Sequence, residues 1–63
     1  MAKSVQVLLT ILDEDAEAYK IETEDMNRFW LAKKVITNNG GGCVGATVVM
    51  DVLEYIAIRS RLI

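Results

Sequence analysis

The stretch Ala46-Thr47-Val48-Val49-Met50-Asp51-Val52-Leu53-Glu54-Tyr55-Ile56-Ala57-Ile58-Arg59-Ser60-Arg61-Leu62-Ile63 decides how the chain is read. Taken as a helix at 100° per residue, it places Thr47, Asp51, Glu54 and Arg61 on one narrow strip. Val48, Val49, Val52, Leu53, Tyr55, Ile56, Ala57 and Leu62 cover most of the rest. A helix apolar on nearly every side is normally buried on nearly every side. A chain of 63 residues has little interior to offer, because a domain of that size buries only about 60% of its unfolded surface. A second copy is therefore expected to supply cover, with Val49, Leu53, Tyr55 and Ile56 in a homodimer or higher oligomer.

Working back from that stretch, Asn38-Asn39-Gly40-Gly41-Gly42 reads as a hinge that ends a preceding helix, with at least one residue at positive φ. The preceding helix is placed from Glu24 to about Thr37. Thr23 is its N-cap, Glu24 and Asp25 lie in the first turn, and Lys33 and Lys34 lie toward the C-terminal end, as the helix dipole favours. Glu24 and Arg28 make an i,i+4 pair. Its core face is Met26, Phe29, Ala32, Val35 and Ile36, and Trp30 and Leu31 project off that face. Trp30 and Leu31 are thus candidate partner contacts, since tryptophan is enriched where interfaces bind most tightly.

The N-terminal third reads as strands. In Ser4–Leu12, Val5, Val7, Leu9 and Ile11 share one face and Gln6, Leu8, Thr10 and Leu12 the other. Asp13 to Ala18 is a connection, and Tyr19 to Glu22 or Thr23 is a return strand. The whole is expected to be a single α+β domain over residues 1–63, a small ββαα unit with an N-terminal hairpin packed on two helices joined by the glycine-rich turn.

Bulk composition narrows the function. Hydrophobic residues make up 52% and charged residues 25%, so the chain can form a core. A single cysteine, Cys43, and no histidine exclude a disulfide framework and the usual zinc sets within one chain. The same cysteine usage points to the cytoplasm, or the host cytoplasm for a viral protein. Lys3 followed by Val5–Leu12 has the outline of a signal peptide, but Gln6 and Thr10 interrupt it and Asp13-Glu14-Asp15 follows at once. The one candidate membrane segment, Val44 to Ile58, is broken by Asp51 and Glu54.

Net charge is −2, and its distribution is uneven. Seven acids and one base fall between Asp13 and Asp25, whereas six bases and two acids lie outside that window. Asp13, Glu14, Asp15 and Glu17 are therefore candidate contacts for a protein partner with a basic surface.

Several motifs resemble chemistry without supporting it. Gly40, Gly42 and Gly45 satisfy G-x-G-x-x-G, but the unit lacks the second strand and acid of a dinucleotide site. The same glycines nearly form a phosphate-binding loop, with Ala46 where the lysine belongs. Asp13, Asp15 and Glu17 alternate like calcium ligands, without the central glycine or the closing glutamate. Cys43 has no neighbouring base. No catalytic residue, cofactor or metal is assigned.

The leading expectation is a non-catalytic interaction module of the inhibitor or adaptor type, a small acidic protein such as phages also encode. The alternative starts at Tyr19, where the order strand, helix, glycine turn, helix loosely resembles the ribbon-helix-helix repressors, with Val48, Val52 and Tyr55 inward on the second helix. That resemblance implies a DNA-binding regulator. It departs at the strand meant for the major groove, where Lys20 and Glu22 sit among acids that repel phosphate, so nucleic acid is not the expected partner.

Overall fold

A computed structural model describes residues 3–63. Its strands are β1 (Ser4–Glu14), β2 (Ala18–Glu22), β3 (Arg28–Ala32), β4 (Ile36–Asn38) and β5 (Thr47–Leu53). A single 3-10 turn, Lys33–Val35, joins β3 to β4, and a short helix α1 (Glu54–Arg59) follows β5. All five strands form one antiparallel sheet in the order β3-β2-β1-β5-β4.

That order forces curvature. The strands β3 and β4 are the two edges, and four antiparallel pairings between them make them run in the same direction. In a flat sheet they would stand about 19 Å apart, four gaps of about 4.8 Å. From Ala32 to Ile36 the chain reaches about 14 Å even at full extension, and a 3-10 turn advances only about 2 Å per residue. The sheet must therefore roll until its edges approach, as a partly open barrel, and its concave side becomes the core.

Strand alternation fills that core. Val5, Val7, Leu9 and Ile11 of β1 pair with Val52, Met50, Val48 and, across the other edge, Ile21. Ile21 and Tyr19 of β2 pair in turn with Phe29 and Leu31 of β3. Leu9, Ile11, Ile21, Met50 and Val52 are fully buried, with Tyr19, Leu31 and Val35 closing round them. On α1, Ala57 is fully buried, and Ile56, with Leu62 just beyond the helix, packs half-buried against the same cluster.

Two irregularities shape the sheet. The β1–β2 register shifts between Ile11 and Asp13, leaving Leu12 as an extra residue. Such a bulge reverses the facing of the residues beyond it, so Glu14 lies opposite Tyr19 on the core side and reaches Lys33 at 2.6 Å. At the start of β5, Ala46 C=O accepts from Ile11 N–H at 2.9 Å while Gly45 N–H donates to Ile11 C=O at 2.7 Å. Two residues thus oppose one, with Gly45 at φ 92, the geometry of a glycine bulge.

The expected ββαα fold is not what the chain adopts: its hairpin is present, and neither long helix is. The segment from Glu24 to Thr37 is a hairpin loop, β3, the 3-10 turn and the start of β4. Thr23 caps a turn instead of a helix: Met26 N–H donates to its C=O at 3.0 Å, and Asn27 N–H to its Oγ1 at 3.2 Å. Met26 is then left-handed at φ 67 and strongly exposed, as the last residue of a three-residue loop closing on a type I turn. The helical core face expected to hold it does not form. The segment from Ala46 to Ile63 is β5 followed by only six helical residues. Val48, Met50 and Val52 face the core and Thr47, Val49 and Asp51 face out, so the apolar excess is divided between a strand and a short helix. The helix closes by the left-handed route: Arg61 has φ 58, and Leu62 N–H donates to Ala57 C=O at 2.8 Å. With no pair of long helices, the likeness to ribbon-helix-helix repressors loses its structural basis.

The glycine-rich segment does turn the chain, as expected, but between strands. Gly40 and Gly41 have φ 67 and φ 72. The side-chain carbonyls of Asn38 and Asn39 accept from their N–H groups at 2.9 Å each.

Candidate functional site

Of the residues assigned to partner contact, Trp30 is the one the fold leaves most suited to it. It lies at the centre of β3, directly opposite Lys20 of β2, on the convex side, and 49% of its surface is exposed. Beside it an open depression is lined by Ala16, Glu17, Ala18, Ala32, Lys33 and Lys34. The floor is small and apolar because Ala18 pairs with Ala32. The rim carries Lys33 and Lys34 of the 3-10 turn and Glu17 of the β1–β2 turn.

The backbone at this place is also unfinished. Thr23 N–H donates to Asn27 C=O, and Lys33 N–H donates to Glu17 C=O, each at the end of the β2–β3 ladder. Antiparallel pairing alternates between bonded and non-bonded pairs. Phe29 and Leu31 therefore turn their N–H and C=O toward β2, as Lys33 does its N–H, while Lys33 C=O accepts from Ile36 N–H in the 3-10 turn; Arg28, Trp30 and Ala32 turn their N–H groups away from β2. No β-strand lies on that side. Among the described residues, the N–H and C=O of Arg28 and Trp30 and the N–H of Ala32 have no backbone partner in loops or turns. The site thus combines an aromatic platform, a shallow apolar floor, a charged rim and an open strand edge, the parts used when an extended segment adds to a sheet.

Lys33 is held in place on this rim. Its ammonium donates to Glu14 Oε2 at 2.6 Å and stands 4.9 Å from the centre of the Tyr19 ring. The hydrogen bond to Glu14 raises its pKa above the ordinary 10.5, against an opposing desolvation, with the charges of Glu14, Tyr19 and Asp15 adding to the rise. Tyr19 is fixed from the other side, where Asn39 Nδ2 donates to its hydroxyl at 3.1 Å. Lys34 is exposed and pairs with no carboxylate among the described residues. At the other end of β3, Arg28 Nε donates to Glu22 Oε2 at 2.9 Å.

The remaining assigned residues divide. Leu31 is buried, because in a strand it points opposite to Trp30 and enters the core; it offers no contact surface. In the acidic turn, Asp15 Oδ1 accepts from the N–H groups of Glu17 and Ala18 at 2.8 and 2.7 Å, and Glu14 is bound to Lys33. Both carboxylates therefore serve the hairpin. Asp13 and Glu17 are exposed, with no ion pair to any described residue. Of the residues assigned to self-association, Val49 and Tyr55 are about half exposed, and Leu53 and Ile56 pack against the core. Val49 lies beside Leu8 on the convex face and Tyr55 on α1. Sequence reasoning missed Lys20, Ala18, Ala32 and the two rim lysines as neighbours of Trp30. The small residues Ala16 and Ala18 beside an aromatic strand were the signal, visible only once Arg28–Ala32 is read as β.

The glycines that mimic a nucleotide-binding motif have structural work. A Cβ on Gly40 would run into the carbonyl of Val49, and one on Gly42 would approach Ile11 Cδ1 at 2.7 Å and Val48 Cγ2 at 2.9 Å. Among the described residues no helix is long and apolar enough to cross a membrane. No protein family, curated protein or solved structure matches the chain, so the geometry of this edge is what speaks to its use.

Proposed function

We propose that the chain is a non-catalytic protein-interaction module of the cytoplasm, whose contact site is the open edge of β3 around Trp30. The supporting observation is the coincidence of a half-exposed tryptophan with unpaired backbone groups on one edge strand. An exposed, unpaired edge is normally blunted by charge, proline or cover, since it invites another strand. Here its centre carries the largest aromatic side chain instead. An extended segment lying along Arg28–Ala32 would take main-chain hydrogen bonds from the edge, and its alternate side chains would meet Trp30 and the Ala18/Ala32 floor. Exposed Asp13 and Glu17 on the neighbouring turn are available to a basic part of the same partner.

The test is a selection of random extended peptides displayed against the immobilised chain, with Trp30→Ser as the counter-target. Peptides that bind the first and not the second should shift the amide resonances of Arg28, Trp30 and Ala32. Selected peptides that leave β3 unshifted would refute this placing of the site.

A further inference from the structure

We propose that a second copy of this chain is the extended segment that pairs with this edge, β3 against β3 about a twofold axis at Trp30. The inference rests on the reading of β3 as a strand-addition edge and names its occupant.

The edge is self-complementary in three respects. An isologous contact requires one patch to match itself after a half-turn. With Trp30 opposite Trp30 of the second copy, Arg28 falls opposite Ala32 and Ala32 opposite Arg28. The outward N–H and C=O of Trp30 then meet their own counterparts, and Ala32 N–H meets the free C=O of Arg28 at both ends. Secondly, Arg28, Trp30 and Ala32 all lie on the convex side. The two half-exposed tryptophans are brought together there, and nothing larger than Ala32 stands opposite either Arg28.

The third respect is charge. The two ends of β3 are oppositely charged. Before it, Glu24 and Asp25 sit exposed in the hairpin loop, with Arg28 beside them engaged by Glu22; after it, Lys34 sits exposed on the 3-10 turn next to Lys33, which is engaged by Glu14. A half-turn about Trp30 brings Asn27 opposite Lys33 and Met26 opposite Lys34. The acidic loop of each copy thus comes alongside the basic turn of the other, twice. A parallel pairing would set acid beside acid and base beside base. Charge therefore selects the antiparallel, twofold arrangement.

The strand is short, about 17 Å, so the contact belongs with small, weak interfaces. A dissociation constant between about 10 μM and 1 mM is expected, equivalent to roughly −7 to −4 kcal/mol. Raising the salt concentration should weaken it, because Glu24, Asp25 and Lys34 of each copy are exposed.

Sedimentation equilibrium from about 10 μM to 1 mM, the span in which small contacts assemble, tests the proposal on the intact chain and three variants. The first is Ala32→Pro. Ala32 has φ −61 and ψ 133, which proline adopts without strain, and its N–H serves no bond to β2. This variant should keep its melting temperature and lose self-association. The other two are Lys34→Glu and the double variant Glu24→Lys with Asp25→Lys. Each should self-associate about tenfold more weakly than the parent chain, since the first sets a new carboxylate against Glu24 and Asp25, and the second sets new lysines against Lys33 and Lys34, at both ends. An equimolar mixture should recover association, because the unchanged acidic loop of the first variant meets Lys33 and Lys34 of the second, and the new lysines of the second meet the new carboxylate of the first. The mixing result stands even if Ala32→Pro fails to fold.

A parent chain that stays monomeric to about 1 mM would overturn the proposal. So would self-association unaffected by either charge variant. Peptides that bind the Trp30 edge of such a monomer would leave the strand-addition reading standing without a second copy.

Discussion

Gly40 and Gly41 are adjacent, both left-handed, and differ in what lies beside them. Alanine at either position must adopt a positive φ, which costs an L-residue about 1–2 kcal/mol, partly offset by the smaller freedom of the unfolded chain. At Gly41 nothing lies within 4 Å of the added methyl, so Gly41→Ala should cost only about 1 kcal/mol. At Gly40 the methyl would overlap the carbonyl of Val49, a backbone atom of β5 that cannot rotate aside. Overpacking of this kind adds about 1–3 kcal/mol, for a total of about 2–4 kcal/mol. In a domain this small each kcal/mol moves the melting temperature by about 4–8 °C. Gly41→Ala should therefore melt about 5 °C below the parent chain and Gly40→Ala about 10–25 °C below it. Thermal and urea denaturation followed by circular dichroism would measure both, with an unchanged urea slope showing that the unfolded state is not altered. Equal losses at the two positions would refute the placing of Gly40 against β5 and favour a simple flexible hinge.

Other substitutions probe the alternation of β5 and the two left-handed residues. Met50→Ala, at a fully buried position, should cost about 2–5 kcal/mol, whereas Val49→Thr on the convex face should stay within about 0.5 kcal/mol; urea midpoints showing the reverse order would place the wrong face inward. Met26→Gly and Arg61→Gly each relieve a positive φ and should stabilise by about 0.5–1 kcal/mol, and lower melting temperatures for both would argue against the turn and helix-end geometries. The raised pKa of Lys33 means that its bond to Glu14 contributes stability at pH values below the ordinary lysine value of 10.5 and loses it as pH climbs through the folded value above that. The stability gap between the parent chain and Lys33→Met should accordingly be flat from pH 7 to 9 and close in stronger alkali; a gap that already closes across pH 7–9 would assign it to another group.

The β1–β2 hairpin was legible because its alternation is strict on one side. Val5, Val7, Leu9 and Ile11, and then Tyr19 and Ile21, are apolar at every second position, and no helical period fits them as well. The bend at Asn38–Gly42 was legible because glycine and asparagine adopt positive φ at the least cost. What misled was the chain from Thr23 onward. Thr23-Glu24-Asp25 is a good helix opening, yet the same hydroxyl and carbonyl close a three-residue hairpin loop equally well. Arg28-Phe29-Trp30-Leu31-Ala32 is aromatic-rich, a strand preference, but five residues are too few for periodicity to separate the two. In Thr47–Leu53 the alternation is present and masked, since Val49 puts an apolar side chain on an outward position and Leu53, at the strand's end, packs against the core out of phase with it. Curvature decided the matter: a rolled sheet closes its core with strands and one short helix, leaving no room for a second layer. Trp30 stands out as surplus to the core even under the wrong secondary structure. Leu31, its neighbour, is not separable from it until the period of two is known.

Amide hydrogen exchange along β3, at a protein concentration of about 1 μM, far below that of weak self-association, bears on the fold and the open edge together. An edge strand paired only with β2 should protect Phe29, Leu31 and Lys33, while Arg28, Trp30 and Ala32 exchange nearly as fast as free peptide. Protection that runs unbroken from Arg28 to Lys33, as in a helix or a covered strand, would contradict the account.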